Sequence, residues 1–490
     1  WDGRLQLGPE DHSKACLWAF REWLEAKYGT LAKLNAAWGT ELPSLEAVGV
    51  PAEEGVPVMA ADTTGTPYAF SPALIDYRAF RRHDVWAMVD GLAGAFKAAA
   101  GKPCLTAVYR DLEPDFLETR HLDMTGNDLF YPYRRPGWPT AGWERMAMAH
   151  RGKMQFQDLD LRSFAGPQED DEEWRAWVGA ALTKDDWIAT HRKLTGISLA
   201  HGCGYWYYEF WGFFDDPWII ERIGATRKIA QHLAERPSRA FQPDVTVALT
   251  GTARQYVRVP HHSVPHGFGT GDLPYEQEMM LETSGVPYVT AYLSDPATLP
   301  TLRQSKVCVF PHSVYLTGAE RQAIETLKRE GRTLVFVYDT GYLSEQGPDL
   351  ASMGQLIGMS IRTEERFARA VPLAVPGSSL TQGIAPYLGM AELTYCTFRL
   401  HGFDTGKACG QPFWIVDPDA VPLARYHGDE RVAAAVRSYA DWTAIYLAAP
   451  ASLTNDLFHS IAREAGAFVA GPPGNEVHMS GDFVSLHGLR

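Results

Sequence analysis

The sequence predicts an α/β protein: part of a (β/α)8 barrel, then a flavodoxin-like α/β domain, then a small β-rich C-terminal domain. Three observations carry this. Short apolar strands alternate with helices from about residue 104 onward, the rhythm of parallel sheets. The first four strands each end in polar or aromatic residues, as at the active face of a barrel. After a proline-marked break near Pro237–Pro243, four more apolar strands recur with helices between them, as in an open doubly wound sheet.

The elements follow in order. Leu17, Phe20, Trp23, Leu24 and Tyr28 recur at helical spacing, with Ser13 as N-cap and Gly29 as stop. A second short helix carries Leu31, Leu34 and Trp38 and stops at Gly39. Residues 41–70, rich in Pro, Gly and Thr, read as a long loop, and Pro72 to Ala100 reads as a long amphipathic helix. The barrel strands are expected at 104–109, 128–131, 154–157 and 204–208, with a helix over 185–200 before the last. Strands at 245–249, 288–292, 307–310 and 333–337, with helices near 276–285, 318–330 and 349–358, build the second unit. The rest shows short strands such as Ala433–Tyr439 and Trp442–Leu447 and a helix near 454–465. The expected boundaries are therefore 1–240, 241–361 and 362–490.

Bulk properties remove several function classes. The net charge of −14 argues against a nucleic-acid partner, which needs surplus Lys and Arg. No run of eighteen apolar residues occurs, so no membrane-spanning helix is expected. The six cysteines show no CxxC spacing, and His261, His262 and His266 lie in a Pro/Gly-rich loop without a nearby carboxylate, so neither a metal nor a cofactor is expected. Cys308 sits inside an apolar strand and reads as a buried, inert thiol rather than the nucleophile of a strand-to-helix elbow.

Two segments carry chemistry. Gln155-Phe156-Gln157-Asp158-Leu159-Asp160-Leu161-Arg162 reads as a strand ending in two carboxylates and an arginine. Gly204 to Asp216 reads as a strand ending in a shelf of rings around Glu209. Carboxylates beside exposed rings suit a sugar: acids act on the glycosidic bond and rings stack on the C–H face of a pyranose. The competing reading is a buried ion pair beside a core aromatic cluster. Asp158 and Asp160 share a face if the strand stays extended, and Arg162 is placed to hold one of them bidentately. Tyr109 and Arg110, Tyr131 and Tyr133, and Trp206, Glu209 and Trp211 are the strand-end candidates for substrate contact.

Phe20-Arg21-Glu22-Trp23-Leu24-Glu25-Ala26-Lys27-Tyr28-Gly29-Thr30, followed by Leu34-Asn35-Ala36-Ala37-Trp38-Gly39-Thr40, resembles glycoside hydrolase family 42 β-galactosidases and their relatives. The segment from 244 to about 360 looks like that family's trimerisation domain, akin to class I glutamine amidotransferases, and Tyr205 to Pro217 resembles its eighth-strand segment. The resemblance implies the second half of the barrel, a carbohydrate substrate, and a homo-oligomer, in the family a trimer. It implies a retaining two-carboxylate mechanism with the nucleophile at Asp158, where the family carries glutamate. The family's acid/base glutamate is implied just before Trp1, so the chain as given is expected to be inactive for want of a proton donor. The alternative is a non-catalytic carbohydrate-binding or assembly protein on a degenerate glycosidase scaffold. A half-barrel also implies open sheet edges at its first and last strands.

Overall fold

Ser13 and Gly29 bracket the first helix as their chemistry dictates. The Ser13 hydroxyl accepts from the Cys16 amide at 3.1 Å, and Gly29 closes helix Lys14–Tyr28 in the left-handed region at φ 72°. The computed structural model describes residues 13–51, 68, 71–109, 114–128, 136–137, 152–165, 181–208, 214–236, 241–251, 256, 273–311, 313–344, 347–366, 371–389 and 411–488. Helices Lys14–Tyr28 and Leu31–Trp38 pack on the long helix Pro72–Ala100 through Phe20, Leu24, Leu34, Tyr77 and Phe80. A polar knot fixes the three. Asp76, 3% exposed, accepts from Lys27 Nζ at 2.5 Å, Tyr28 Oη at 2.7 Å and Trp38 Nε1 at 2.8 Å. Burial first, and Asp76 next, hold the Tyr28 phenol well above its usual range.

Four parallel strands follow: β1 (Ala107–Tyr109), β2 (Met124–Asp128), β3 (Met154–Leu159) and β4 (Gly204–Tyr207), side by side in that order. The strand expected at 128–131 begins earlier, at Met124. Thr106 accepts from the Asp123 and Met124 amides and so sets the register Ala107↔Met124. Met-Thr-Gly-Asn carries little apolar signal, and residues 129–131 lie outside the described residues. Helix Lys184–Ala200 covers one face of this sheet, packing Trp187 and Leu194 with Leu159, Tyr205 and Tyr207. Among the described residues, β1 and β4 each pair on one side.

The second sheet begins with β5 (Val245–Leu249), β6 (Val289–Tyr292), β7 (Val307–Pro311) and β8 (Arg332–Val337), all parallel. Cys308 is buried in β7, and burial pushes its thiol up to about 12. A small pair, β9 (Leu343–Ser344) and β10 (Gly347–Pro348), precedes β11 (Ile361–Thr363), β12 (Pro372–Ala374), β13 (Phe413–Ile415), β14 (Val421–Tyr426), β15 (Val432–Ser438) and β16 (Trp442–Leu447). The boundary expected at 361 does not interrupt this sheet. β16 pairs in parallel with β8 over six residues, giving the order β6-β5-β7-β8-β16, the 2-1-3-4-5 arrangement of doubly wound folds. β11 to β15 extend the same sheet antiparallel beyond β16, and one core runs through Val335 and Phe336 of β8, Ile445 and Tyr446 of β16, and Phe413 of β13. The strand supply explains this: β8 would be an edge of a buried parallel sheet without β16.

The hairpin β17 (Asn475–Met479) and β18 (Val484–Gly488) stands apart from both sheets and lies against helices Leu273–Glu282 and Lys184–Ala200. Gly285, at φ 70°, donates to the Asn475 carbonyl at 2.9 Å, and its own carbonyl accepts from Ala470 at 2.9 Å. A Cβ there would meet the Gly471 carbonyl oxygen at 2.3 Å. Gly285→Ala therefore combines a left-handed backbone with a backbone clash. We expect it to lower unfolding free energy by about 1 to 3 kcal/mol and to speed amide exchange in 475–488. An unchanged urea midpoint with unchanged exchange in the hairpin would show that this junction does not hold it.

Candidate functional site

β3 sorts its residues by alternation. Leu159 packs toward helix Lys184–Ala200, and Gln157 accepts from the Ser198 hydroxyl of that helix at 3.0 Å. Phe156 and Asp158 take the opposite face. In the parallel register Tyr109, Gly126, Phe156 and Gly204 lie in one row, and Asp128, Asp158 and Trp206 in the next. Gly126, beside Phe156, makes its placement possible. A Cβ on Gly126 would meet the Phe156 ring at 2.2 Å. The ring lies 6.4 Å from Tyr109 and 5.3 Å from Trp206, edge-on to the latter.

These rings form a shelf that stays open. Tyr109 is 50% exposed, Trp206 48% and Tyr208 40%, whereas Asp158 beneath them is 4% exposed. Tyr109 Oη donates to Asp158 Oδ2 at 3.0 Å, which ties β1 to the carboxylate across β2. The chain then leaves the strand geometry. The Leu161 amide bonds the Leu159 carbonyl at 2.8 Å, a tight turn that ends the alternation expected to place Asp160 beside Asp158. Asp160 instead meets Arg162 side-on, Nε to Oδ1 at 2.9 Å and Nη2 to Oδ2 at 3.0 Å, with both groups buried. The arginine's bidentate partner is therefore Asp160 and not Asp158.

Tyr109, Asp158 and Trp206 come together, and Asp160 with Arg162 forms the neighbouring pair. Arg110, Tyr131, Tyr133, Glu209 and Trp211 lie outside the described residues, as do His261, His262 and His266. The sequence reading missed Phe156 and Gly126 as the parts that shape the shelf. A glycine opposite an aromatic residue on the adjacent strand was the signal available. It also passed over the register position of Asp128 next to Asp158. Among the described residues one trio of possible metal donors converges, Glu282, Glu476 and His478, and it belongs to the helix and hairpin side of the molecule.

Comparison with known proteins adds to this geometry. The family model for beta-galactosidases of glycoside hydrolase family 42 matches residues 6–155. The match ends three residues before Asp158. Among solved structures, the chain is similar to the β-galactosidase of Rahnella sp. R3, at TM-score 0.66 and 17% identity, over 98% of this chain and 71% of that one. It is similar to the β-galactosidase of the haloarchaeon Halorubrum lacusprofundi at TM-score 0.64 and 14% identity, covering 96% and 70%. It is similar to that of Bacillus circulans sp. alkalophilus at TM-score 0.59 and 14% identity, covering 96% and 69%. At these identities the likeness shows the fold. No curated protein matches the chain.

Beneath the shelf, on the helix side, a neutral histidine supports β4. His191 is stacked on Trp187 at 4.6 Å and 13°, its Nε2 is 2.8 Å from Tyr207 Oη, and burial, with Arg192 adding, pushes it down to about 4. A histidine whose folded value lies below its unfolded one contributes stability that is present above about pH 6.5 and lost as pH falls toward 4. Between pH 7 and 4.5 we expect this group to cost about 2 to 3 kcal/mol. His191→Phe keeps a stacked ring without the titration, so its urea stability should fall less over that interval by that amount. Parallel losses in both proteins would remove His191 from the account.

Proposed function

We propose that the open face of the four-stranded sheet is part of a glycoside-binding cleft, and that the protein is a β-galactosidase-like retaining glycosidase with Asp158 as nucleophile. The observation that carries this is the register of Asp158 with Trp206: a carboxylate held by Tyr109 beneath rings that remain half exposed. Core aromatics that served packing alone would be covered. The family match over 6–155 and the shared fold support the same reading.

In this reading Trp206, with Tyr109, receives the C–H face of the sugar, and a carboxylate oxygen of Asp158 attacks the anomeric carbon as the leaving oxygen departs. Tyr109 fixes the carboxylate's rotation. Asp160 and Arg162 brace the turn that ends β3. Arg110, Tyr131, Tyr133, Glu209 and Trp211 would contact the substrate from the strand ends. Retention requires a second carboxyl about 5–5.5 Å away to protonate the leaving group. We expect this chain to bind galactosides.

A second reading keeps the cleft and drops the chemistry: a non-catalytic carbohydrate-binding protein. The near-complete burial of Asp158 and its shorter side chain, where the family carries glutamate, favour it. An activated substrate separates the two, because dinitrophenolate leaves without a proton. Incubation with 2,4-dinitrophenyl 2-deoxy-2-fluoro-β-galactoside should attach one fluorogalactosyl group through an ester to Asp158, read by peptide mass spectrometry, and Asp158→Asn should abolish it. Galactose should quench tryptophan fluorescence saturably, with about tenfold weaker binding in Trp206→Ala. Saturable binding without labelling selects the second reading. Labelling at another residue, or no binding, overturns the proposal.

A further inference from the structure

We propose a divalent-cation site of the zinc class formed by Glu282, Glu476 and His478, which pins the C-terminal hairpin to the rest of the molecule. One ligand atom from each residue lies within 4.8 Å of the others. His478 Nε2 is 2.8 Å from Glu476 Oε1 and 3.5 Å from Glu282 Oε2. Those spacings bracket the roughly 3.3 Å edge of a tetrahedron with bonds of about 2.0–2.1 Å. All three side chains are buried: 3% exposed for Glu282, 0% for Glu476 and 4% for His478.

The site is built from separate parts of the chain. Glu282 ends helix Leu273–Glu282, and Glu476 and His478 alternate onto one face of β17. The outer contacts are those a metal-bound ligand set needs. His478 Nδ1 lies 3.0 Å from His201 Nε2, so the imidazole can present Nε2 inward while its other nitrogen is held. Tyr288 Oη donates to Glu282 Oε1 at 3.0 Å and orients that carboxylate.

Two carboxylates removed from water need compensation in place. The His478–Glu476 contact and the buried Lys193 meet part of that need, and a divalent cation would replace the proton on His478 Nε2 and bind both carboxylates. Lys193, buried on helix Lys184–Ala200, supplies one further positive charge toward Glu476, and His487 faces Glu476 across the hairpin. One imidazole and two carboxylates form a mixed nitrogen and oxygen set that suits Zn2+ better than Mg2+ or Ca2+.

The test uses the chain as purified, stripped with EDTA and then dialysed against Zn2+ alone. We expect one zinc per chain, counted by plasma mass spectrometry, in excess over His478→Ala, and a zinc-dependent rise in melting temperature that the variant lacks. His201→Ala, which removes no proposed ligand but takes away the partner of His478 Nδ1, should weaken zinc about 10- to 100-fold. Co2+ in place of zinc should give d–d bands without a thiolate charge-transfer band. If His478→Ala does not fold, Glu282→Gln and the cobalt spectrum of the unaltered chain decide. Equal zinc in the unaltered chain and the variants, a thiolate band that puts the ion on cysteine, or no retained zinc with a stable fold overturns the site and leaves an ion-free charge cluster.

Discussion

The alternation of β3 is the constraint on which the site depends. Six residues between two parallel neighbours send Leu159 and Gln157 to the helix and leave Phe156 and Asp158 on the open side. A slip of one residue would bury the aspartate under Trp187 and expose Leu159, so the register is enforced by the cost of both errors at once. The neighbours are chosen to suit. Gly126 removes the bulk that would push the Phe156 ring out of its row, and Trp206 stands beside Asp158 because β4 pairs residue for residue with β3.

That arrangement also explains why only one of the two aspartates belongs to the open face. The sequence pattern Asp-Leu-Asp-Leu-Arg alternates cleanly, and alternation alone would send both carboxylates the same way. The Leu159–Leu161 turn ends the strand between them. Beyond the turn, an arginine two residues on can close a planar two-point contact with Asp160, which a fully extended backbone would hold at a distance. A local backbone event thus divides an apparent pair into a carboxylate under the ring shelf and one committed to an ion pair.

Much of the fold was legible because the signals were local. Ser13, Gly29, Asp216 and Pro217 mark helix ends through their own backbone and hydrogen-bond chemistry, and the structure places the ends there. The apolar strands of the second sheet were legible for the same reason. The pairing of β16 with β8 was not, since β16 lies more than a hundred residues beyond β8 and looks like any exposed-edge strand until β8 is seen to need a partner. Asp76 shows the same limit on a smaller scale. Lys27, Tyr28 and Trp38 form part of the motif that resembles the family, yet nothing near them in sequence shows that they converge on one carboxylate.

The site was legible in kind and not in geometry. Acid groups and rings in two separate segments suggested a sugar, but the depth of Asp158 and the openness of Trp206 are properties of the sheet and not of either segment. The distinction matters because the chemistry asks opposite things of the two groups. A carboxylate in the proposed nucleophile's role gains from a shielded position with its rotation fixed, as the Tyr109 hydrogen bond to Asp158 would provide, since water and free rotation both weaken attack. A stacking ring gains only if it is left uncovered. One sheet face satisfies both demands by layering: the carboxylate sits at the level of the backbone, and the longer rings of Tyr109 and Trp206 rise past it to the solvent. An aspartate suits that lower layer better than a longer glutamate would. The proposed reaction depends on whether the sugar's anomeric carbon can reach down between the rings.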